Sequence, residues 1–148
     1  MKFRRLALIG CGLMGGSFAL ALRAAGGVDQ VVGFSASSNT RARALALGVI
    51  DTACASAAEA AQDADLVLLA VPVGAMSGCL QALRPALKPD ALLMDVGSTK
   101  SDVVAAARAA LGERLSCFVP AHPIAGKEVA GIEHADAQLY RHLSLIHI

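Results

Sequence analysis

The chain has 148 residues, 13 basic and 12 acidic, a formal net charge of +1, 55% hydrophobic residues and only 3% aromatic ones. That length fits one domain with a real core. The balanced charge, with no basic block and few rings, speaks against a nucleic-acid surface, and no uncharged apolar run reaches the ~18 residues of a membrane span.

Met1-Lys2-Phe3-Arg4-Arg5 imitates the start of a secretory leader, and Leu8-Ile9-Gly10-Cys11 a lipoprotein cleavage site. The apolar segment between Arg5 and Cys11 is shorter than the ~7–15 residues an export signal needs. Cys11, Cys54, Cys79 and Cys117 lie far apart and form no metal-like spacing. The expectation is a soluble cytoplasmic protein with reduced, mostly buried thiols, no disulfide frame and no metal.

Leu6-Ala7-Leu8-Ile9 reads as a buried parallel strand running into Gly10-x-Gly12-x-x-Gly15, with a helical pattern from Leu13 to about Ala25 behind it. That order fits a dinucleotide-binding turn. Gly10 permits the sharp turn, Gly12 clears the approach of a pyrophosphate to the backbone, and Gly15 lets helix and strand pack closely. The unpaired N–H groups of Leu13 and Met14 would face the phosphates.

Gly26-Gly27 stops the helix, and Val31-Val32-Gly33-Phe34 reads as a second strand. An acid just past that strand would bind the adenosine ribose and repel a 2′-phosphate. Here the position is Ser35, and the next acid is Asp51. Ser35, Ser37 and either Arg41 or Arg43 could receive a phosphate, which favours NADP over NAD. The plain alternative is that Thr40 caps a helix and both arginines are solvated.

Thr40 to Leu47 has helical composition, and Ser56 to Gln62 is a second helical piece with Ser56 and Glu59 placed as a capping box. Leu66-Val67-Leu68-Leu69-Ala70-Val71 is the clearest strand, ended by Pro72. Val73 to Leu83 carries apolar residues at helical spacing, so Met76 reads as core. Ala91 to Val96 is the next strand, followed by Gly97-Ser98-Thr99-Lys100, a helix from about Asp102 to Leu111, and a last strand at Ser116 to Pro120 that leads to His122.

Alternating strands and helices predict an α/β fold, a doubly wound parallel sheet of Rossmann type, in which ligands bind beyond the carboxyl ends of the strands. The turns at Gly10, Ser35, Val71-Pro72, Gly97 and His122 all follow strands and converge on that edge. There a hydride-transferring cofactor leaves the protein to place the substrate and to handle a proton. Histidine suits the proton, so His122 is the candidate base. Ser98 could hydrogen-bond the substrate hydroxyl or cap the next helix. Lys100 reads as a solvated charge or a carbonyl-binding residue, and His134, His142 and His147 read as surface residues.

Three segments together resemble the nucleotide-binding domain of the prephenate dehydrogenase family, which includes arogenate and cyclohexadienyl dehydrogenases. They are Ile9-Gly10-Cys11-Gly12-Leu13-Met14-Gly15-Gly16-Ser17, Asp95-Val96-Gly97-Ser98-Thr99-Lys100 and His122-Pro123-Ile124-Ala125-Gly126-Lys127-Glu128-Val129-Ala130-Gly131. The resemblance implies oxidative decarboxylation of prephenate or arogenate in tyrosine biosynthesis, with His122 taking the proton of the ring hydroxyl, Ser98 assisting, and Glu128 near the site entrance. It also implies a helical second domain that forms a homodimer and binds the substrate carboxylates. That domain is not among these residues. The reading is therefore residues 1–140 as the dinucleotide-binding domain, 141–148 as a truncated or non-native tail, and little turnover from the piece alone. Two rivals remain: another β-hydroxyacid-type dehydrogenase, and a nucleotide-binding module without catalysis.

Overall fold

The computed structural model describes residues 2–97, 100–123, 131–140 and 145–147. In chain order these form β1 (Phe3–Ile9), α1 (Leu13–Ala24), β2 (Val28–Phe34), α2 (Ser38–Ala46), β3 (Thr52–Ala53), α3 (Ala57–Ala61) and β4 (Leu66–Leu69). There follow α4 (Val73–Leu83), β5 (Leu92–Asp95), α5 (Lys100–Leu111), β6 (Phe118–Val119), β7 (Ala121–Pro123) and β8 (Leu145–His147), with short 3₁₀ turns that include Ile132–His134 and Ala137–Tyr140. Six strands make one parallel sheet in the order β3-β2-β1-β4-β5-β6, while β7 pairs antiparallel with β8.

Strand periodicity explains why the sheet is covered on both sides. Leu6 and Leu8 point to one face with Leu66 and Leu68, where they meet Ala19 of α1, Ala44 of α2 and Ile132. Ala7 and Ile9 point to the other with Val67, Leu69 and Leu93, where they meet Met76 and Leu80 of α4 and Val103 of α5. All four residues of β4 are buried, as a central parallel strand requires. The doubly wound reading holds, and Met76 is core.

Element limits differ from the sequence reading where backbone chemistry overrides composition. β1 and β2 begin at Phe3 and Val28, earlier than expected, because their first turns expose charged side chains while the ladder continues from Phe3 opposite Val28. β4 stops at Leu69, although Ala70 N–H still bonds the Ile9 carbonyl at 2.7 Å, because Pro72 opens α4. The last strand shrinks to two residues, since Gly112–Cys117 winds into a 3₁₀ turn. Ser37, not Thr40, caps α2: its hydroxyl accepts from Thr40 N–H at 3.3 Å. Ser56 caps α3 as expected, but Glu59 reaches one residue further back than in a capping box, accepting from Ala55 N–H at 2.8 Å.

Register brings the strand ends together. Ile9 lies opposite Phe34 and Leu69, and Leu69 opposite Asp95, so the segments after β1, β2, β4 and β5 leave one edge side by side. Among the described residues no helix is long and apolar enough to cross a membrane. Cys11 and Cys54 are buried free thiols, whereas Cys79 and Cys117 are only partly covered, fewer buried than the sequence reading expected.

Candidate active site at the carboxyl edge of the sheet

The glycine turn is dictated by what a side chain would strike. Gly10 has φ +98°, and a Cβ there would sit 2.4 Å from the Ala70 carbonyl oxygen, so only glycine fits. At Gly15 a Cβ would fall 2.3 Å from the Gly10 carbonyl oxygen and 3.0 Å from Leu8; its absence lets α1 seat on β1. Gly12 is different: a Cβ there would meet nothing within 4 Å. Its missing side chain keeps open space in front of the turn.

Gly12 is also the N-cap of α1 and has no side chain to bond the helix start. The first intrahelical donor is Gly16, to the Gly12 carbonyl at 2.9 Å, which leaves the Leu13, Met14 and Gly15 N–H groups at an anion-attracting helix end. Beside it, between the ends of β1, β2 and β4, lies a cleft of about 310 Å³ lined by Gly10, Gly12, Phe34, Ser35, Val71, Pro72 and Cys79. It sits where the strand order reverses from β1 toward β4, the usual place for a nucleotide in such sheets. An open phosphate cradle next to an apolar slot fits a dinucleotide.

Ser35 ties the cleft wall to the turn, accepting from Cys11 N–H at 2.7 Å. Arg41 donates to the Ser35 carbonyl at 2.6 Å and lies 5.5 Å above the Phe34 ring, so its guanidinium is held at the end of β2. Arg43 points elsewhere, pairing with Glu133 at 3.1 Å. Of the two arginines only Arg41 contacts residues that line the cleft, Phe34 and Ser35. Cys11 and Cys79, in the same cleft, have thiols pushed above the ordinary range by burial, so they stay protonated at neutral pH.

Two strands further along the edge, Asp95 ends β5 fully buried. Its Oδ2 accepts from Gly97 N–H at 2.9 Å and from Lys100 Nζ, and its Oδ1 accepts from Ala121 N–H at 3.1 Å. Lys100 also donates to the Ala121 carbonyl at 2.6 Å. Lys100 is thus the carbonyl-binding residue of the two expectations, and it is buried rather than solvated. Ala121 opens β7, whose second residue is His122; only the backbone of His122 is described. Ser98 and Glu128 lie outside the described residues, as does His142, while His134 is exposed.

Residues 131–140 return to α1, a contact that local sequence patterns did not reveal. Ile132 fills the space left at Gly16, where a Cβ would come 2.5 Å from it. Asp136 N–H bonds the buried Ser17 hydroxyl at 2.9 Å, and Tyr140 donates to the Met14 carbonyl at 3.1 Å while its ring meets Phe18 edge-on at 5.6 Å. Burial pushes the Tyr140 hydroxyl far above its ordinary pKa, so it remains a donor. Gly16 beside Gly15 was the one available signal.

A glycine turn on β1, an uncapped helix behind it and a cleft at the strand-order reversal define a nucleotide-binding domain of the Rossmann class. Residues 18–146 match the family model described as prephenate dehydrogenase, nucleotide-binding domain, and the chain belongs to that family. It is 38% identical over 139 residues to a cyclohexadienyl dehydrogenase of Zymomonas mobilis, covering 94% of this chain and 47% of that protein. With a prephenate dehydrogenase of Bacillus subtilis it shares 36% identity over 134 residues, 90% of this chain and 36% of the other. A prephenate dehydrogenase from A. aeolicus, solved with hydroxyphenyl propionate and NAD+, superposes with a TM-score of 0.88 at 32% identity, covering 99% of this chain and 51% of that one. The chain therefore spans about a third to a half of the length of these relatives.

Proposed function

We propose that this chain is the cofactor-binding part of an NAD(P)-dependent dehydrogenase that oxidises and decarboxylates prephenate or arogenate on the way to tyrosine in the cytoplasm. The observation that carries the proposal is the shared edge: an open phosphate cradle at Gly12 and, fastened to the end of β5 two strands away, the start of the strand that bears His122. The nicotinamide ring, when bound, supplies the hydride acceptor for C4 of the substrate. His122 accepts the proton of the C4 hydroxyl as that bond becomes a carbonyl, and Ser98 holds the same hydroxyl. The ring–carboxylate bond then breaks, its electrons passing through the ring to the C4 oxygen as carbon dioxide leaves and the ring becomes aromatic. That oxygen takes back a proton to give the phenol, while loss of carbon dioxide itself needs no protein acid.

Gly10, Gly12, Leu13, Met14 and Gly15 receive the pyrophosphate, Val71 and Pro72 flank the nucleoside, and Gly97 borders the nicotinamide side. NADP is the favoured cofactor. With no acid at Ser35 or Ser37 and Arg41 fixed against Ser35 and Phe34 at the end of β2, a 2′-phosphate meets a cation and hydroxyls in place of a carboxylate. Arg41→Ala is expected to weaken NADP roughly tenfold, about 1.4 kcal/mol, and NAD hardly at all, as read by titration of both dinucleotides. Equal losses would assign Arg41 to the fold and not to the phosphate.

On their own the 148 residues are proposed to bind dinucleotide with little or no turnover. The relatives are two to three times as long, and a substrate dianion without further contacts is not held in reacting geometry. The full-length parent is expected to be a homodimer through residues beyond this domain, with Glu128 at the substrate entrance. Prephenate oxidation by the full-length His122→Asn variant tests the chemistry: turnover should fall by about 10²–10⁴, with dinucleotide affinity kept. Normal turnover would remove His122 as the base.

A further inference from the structure

Asp95 is the only fully buried carboxylate among the described residues, and the Lys100 ammonium that meets it is buried as well. Such a pair is weak evidence for a gain in stability, since apolar residues of similar volume often serve as well. What this pair holds is backbone. On the side that faces β5, both polar groups of Ala121 are taken by it: the N–H by Asp95 at 3.1 Å, the carbonyl by Lys100 at 2.6 Å. β6 has ended at Val119, Pro120 has no N–H to offer, and β7 pairs with β8 instead of joining the parallel sheet. The ion pair thus replaces a neighbouring strand at the residue before His122. The same carboxylate accepts the N–H of Gly97, the residue before Ser98, at 2.9 Å.

We propose that Asp95 and Lys100 are positioning residues: one buried ion pair fixes the backbone that carries His122 to the turn after β5, and so sets the base relative to the cofactor cleft. The inference rests on the reading of His122 as the base. Both act through backbone, Asp95 fully buried and Lys100 nearly so. The device explains why an apolar strand, Leu92–Asp95, ends in a carboxylate that faces inward.

The test uses the full-length dehydrogenase with Asp95→Asn and Lys100→Met combined, which removes both charges and leaves neither orphaned. The expected result is kcat lower by about 100-fold, the size of effect that a displacement of about 1 Å produces. KM for prephenate and the dinucleotide Kd should stay within about threefold. A lower melting temperature with native kcat, per dinucleotide-binding site, overturns the proposal and leaves the pair a structural one. His122→Asn run in parallel separates the two readings. Native turnover there defeats the base assignment and this inference with it, whereas an inactive His122→Asn beside a fully active double variant defeats the positioning role alone. Should the double variant fail to fold, hydrogen exchange on the unaltered 148-residue chain decides. Matched protection of the Gly97 and Ala121 amides supports the clamp, and exchange at free-peptide rates overturns it.

Discussion

At the end of β1 the chain turns by leaving side chains out, and at the end of β5 it turns by burying two charges. The first site is made of glycines whose missing Cβ atoms let backbone touch backbone, as Gly10 does Ala70 and Gly15 does Gly10. The second is made of side chains that substitute for backbone, with Asp95 and Lys100 bonding Ala121 as a strand would. Steric rules govern one half of the edge and electrostatics the other. Substitutions should therefore fail in different ways on the two sides.

The largest expected effect is at the charged site. Lys100→Met leaves Asp95 buried beside two N–H groups but with no cation, and removing one partner of a buried pair costs about 3–5 kcal/mol. Urea unfolding of the single variant against the Asp95→Asn/Lys100→Met double variant measures it. The double variant should recover a large part of the loss. If both lose equally, the pair acts through packing and the electrostatic half of the contrast collapses.

Within the steric half the glycines should separate by geometry. Gly10→Ala places a Cβ against the Ala70 carbonyl and forces a φ of +98° on a residue that avoids it, a cost of roughly 2–4 kcal/mol in stability. Gly12→Ala meets open space, so unfolding should shift by less than about 0.5 kcal/mol. Its methyl stands where phosphate would approach, and dinucleotide affinity should fall about tenfold or more, at least 1.4 kcal/mol. A stable Gly12→Ala that binds normally would place the phosphates elsewhere.

The same contrast explains which parts of the edge are legible in the sequence. Gly10, Gly12 and Gly15 announce their site because sterics leave one residue type and one spacing, and β4 announces itself because four consecutive residues are buried on both faces. Ser35 was legible as the position just past β2 and Arg41 as a nearby cation, but the bond from Cys11 N–H to Ser35 joins residues 24 apart, and the bond from Arg41 to the Ser35 carbonyl depends on how the turn between β2 and α2 folds back. Asp95 was not singled out, since its partners Lys100 and Ala121 are joined only by the fold. Tyr140 and Ile132 were missed for the same reason: they act on Met14 and Gly16, more than 110 residues away. Local pattern carries sterics well and distant hydrogen bonds poorly.

A milder version of the charged device at the opposite edge sharpens the comparison with the smallest effect. Asp65, just before β4, accepts the N–H groups of Arg4 at 2.8 Å and Arg5 at 3.1 Å and pairs with Lys88, so a carboxylate again fastens backbone to a strand end. Its side chain is 23% exposed, where that of Asp95 is wholly buried. The Lys88 ammonium above all, and then the two N–H groups, hold the Asp65 carboxyl below the ordinary carboxylate value, against the opposing effect of burial. A carboxyl that is harder to protonate folded than unfolded stabilises the protein above the unfolded value of ~3.9. That contribution fades as pH falls through the lower folded value. Stability of the chain and of Asp65→Asn, measured by denaturant from pH 6 downward, should therefore differ by a constant amount until about pH 4 and converge below it. A gap that persists undiminished into strong acid would mean that Asp65 acts by shape, and that charge fastens backbone only where water is excluded.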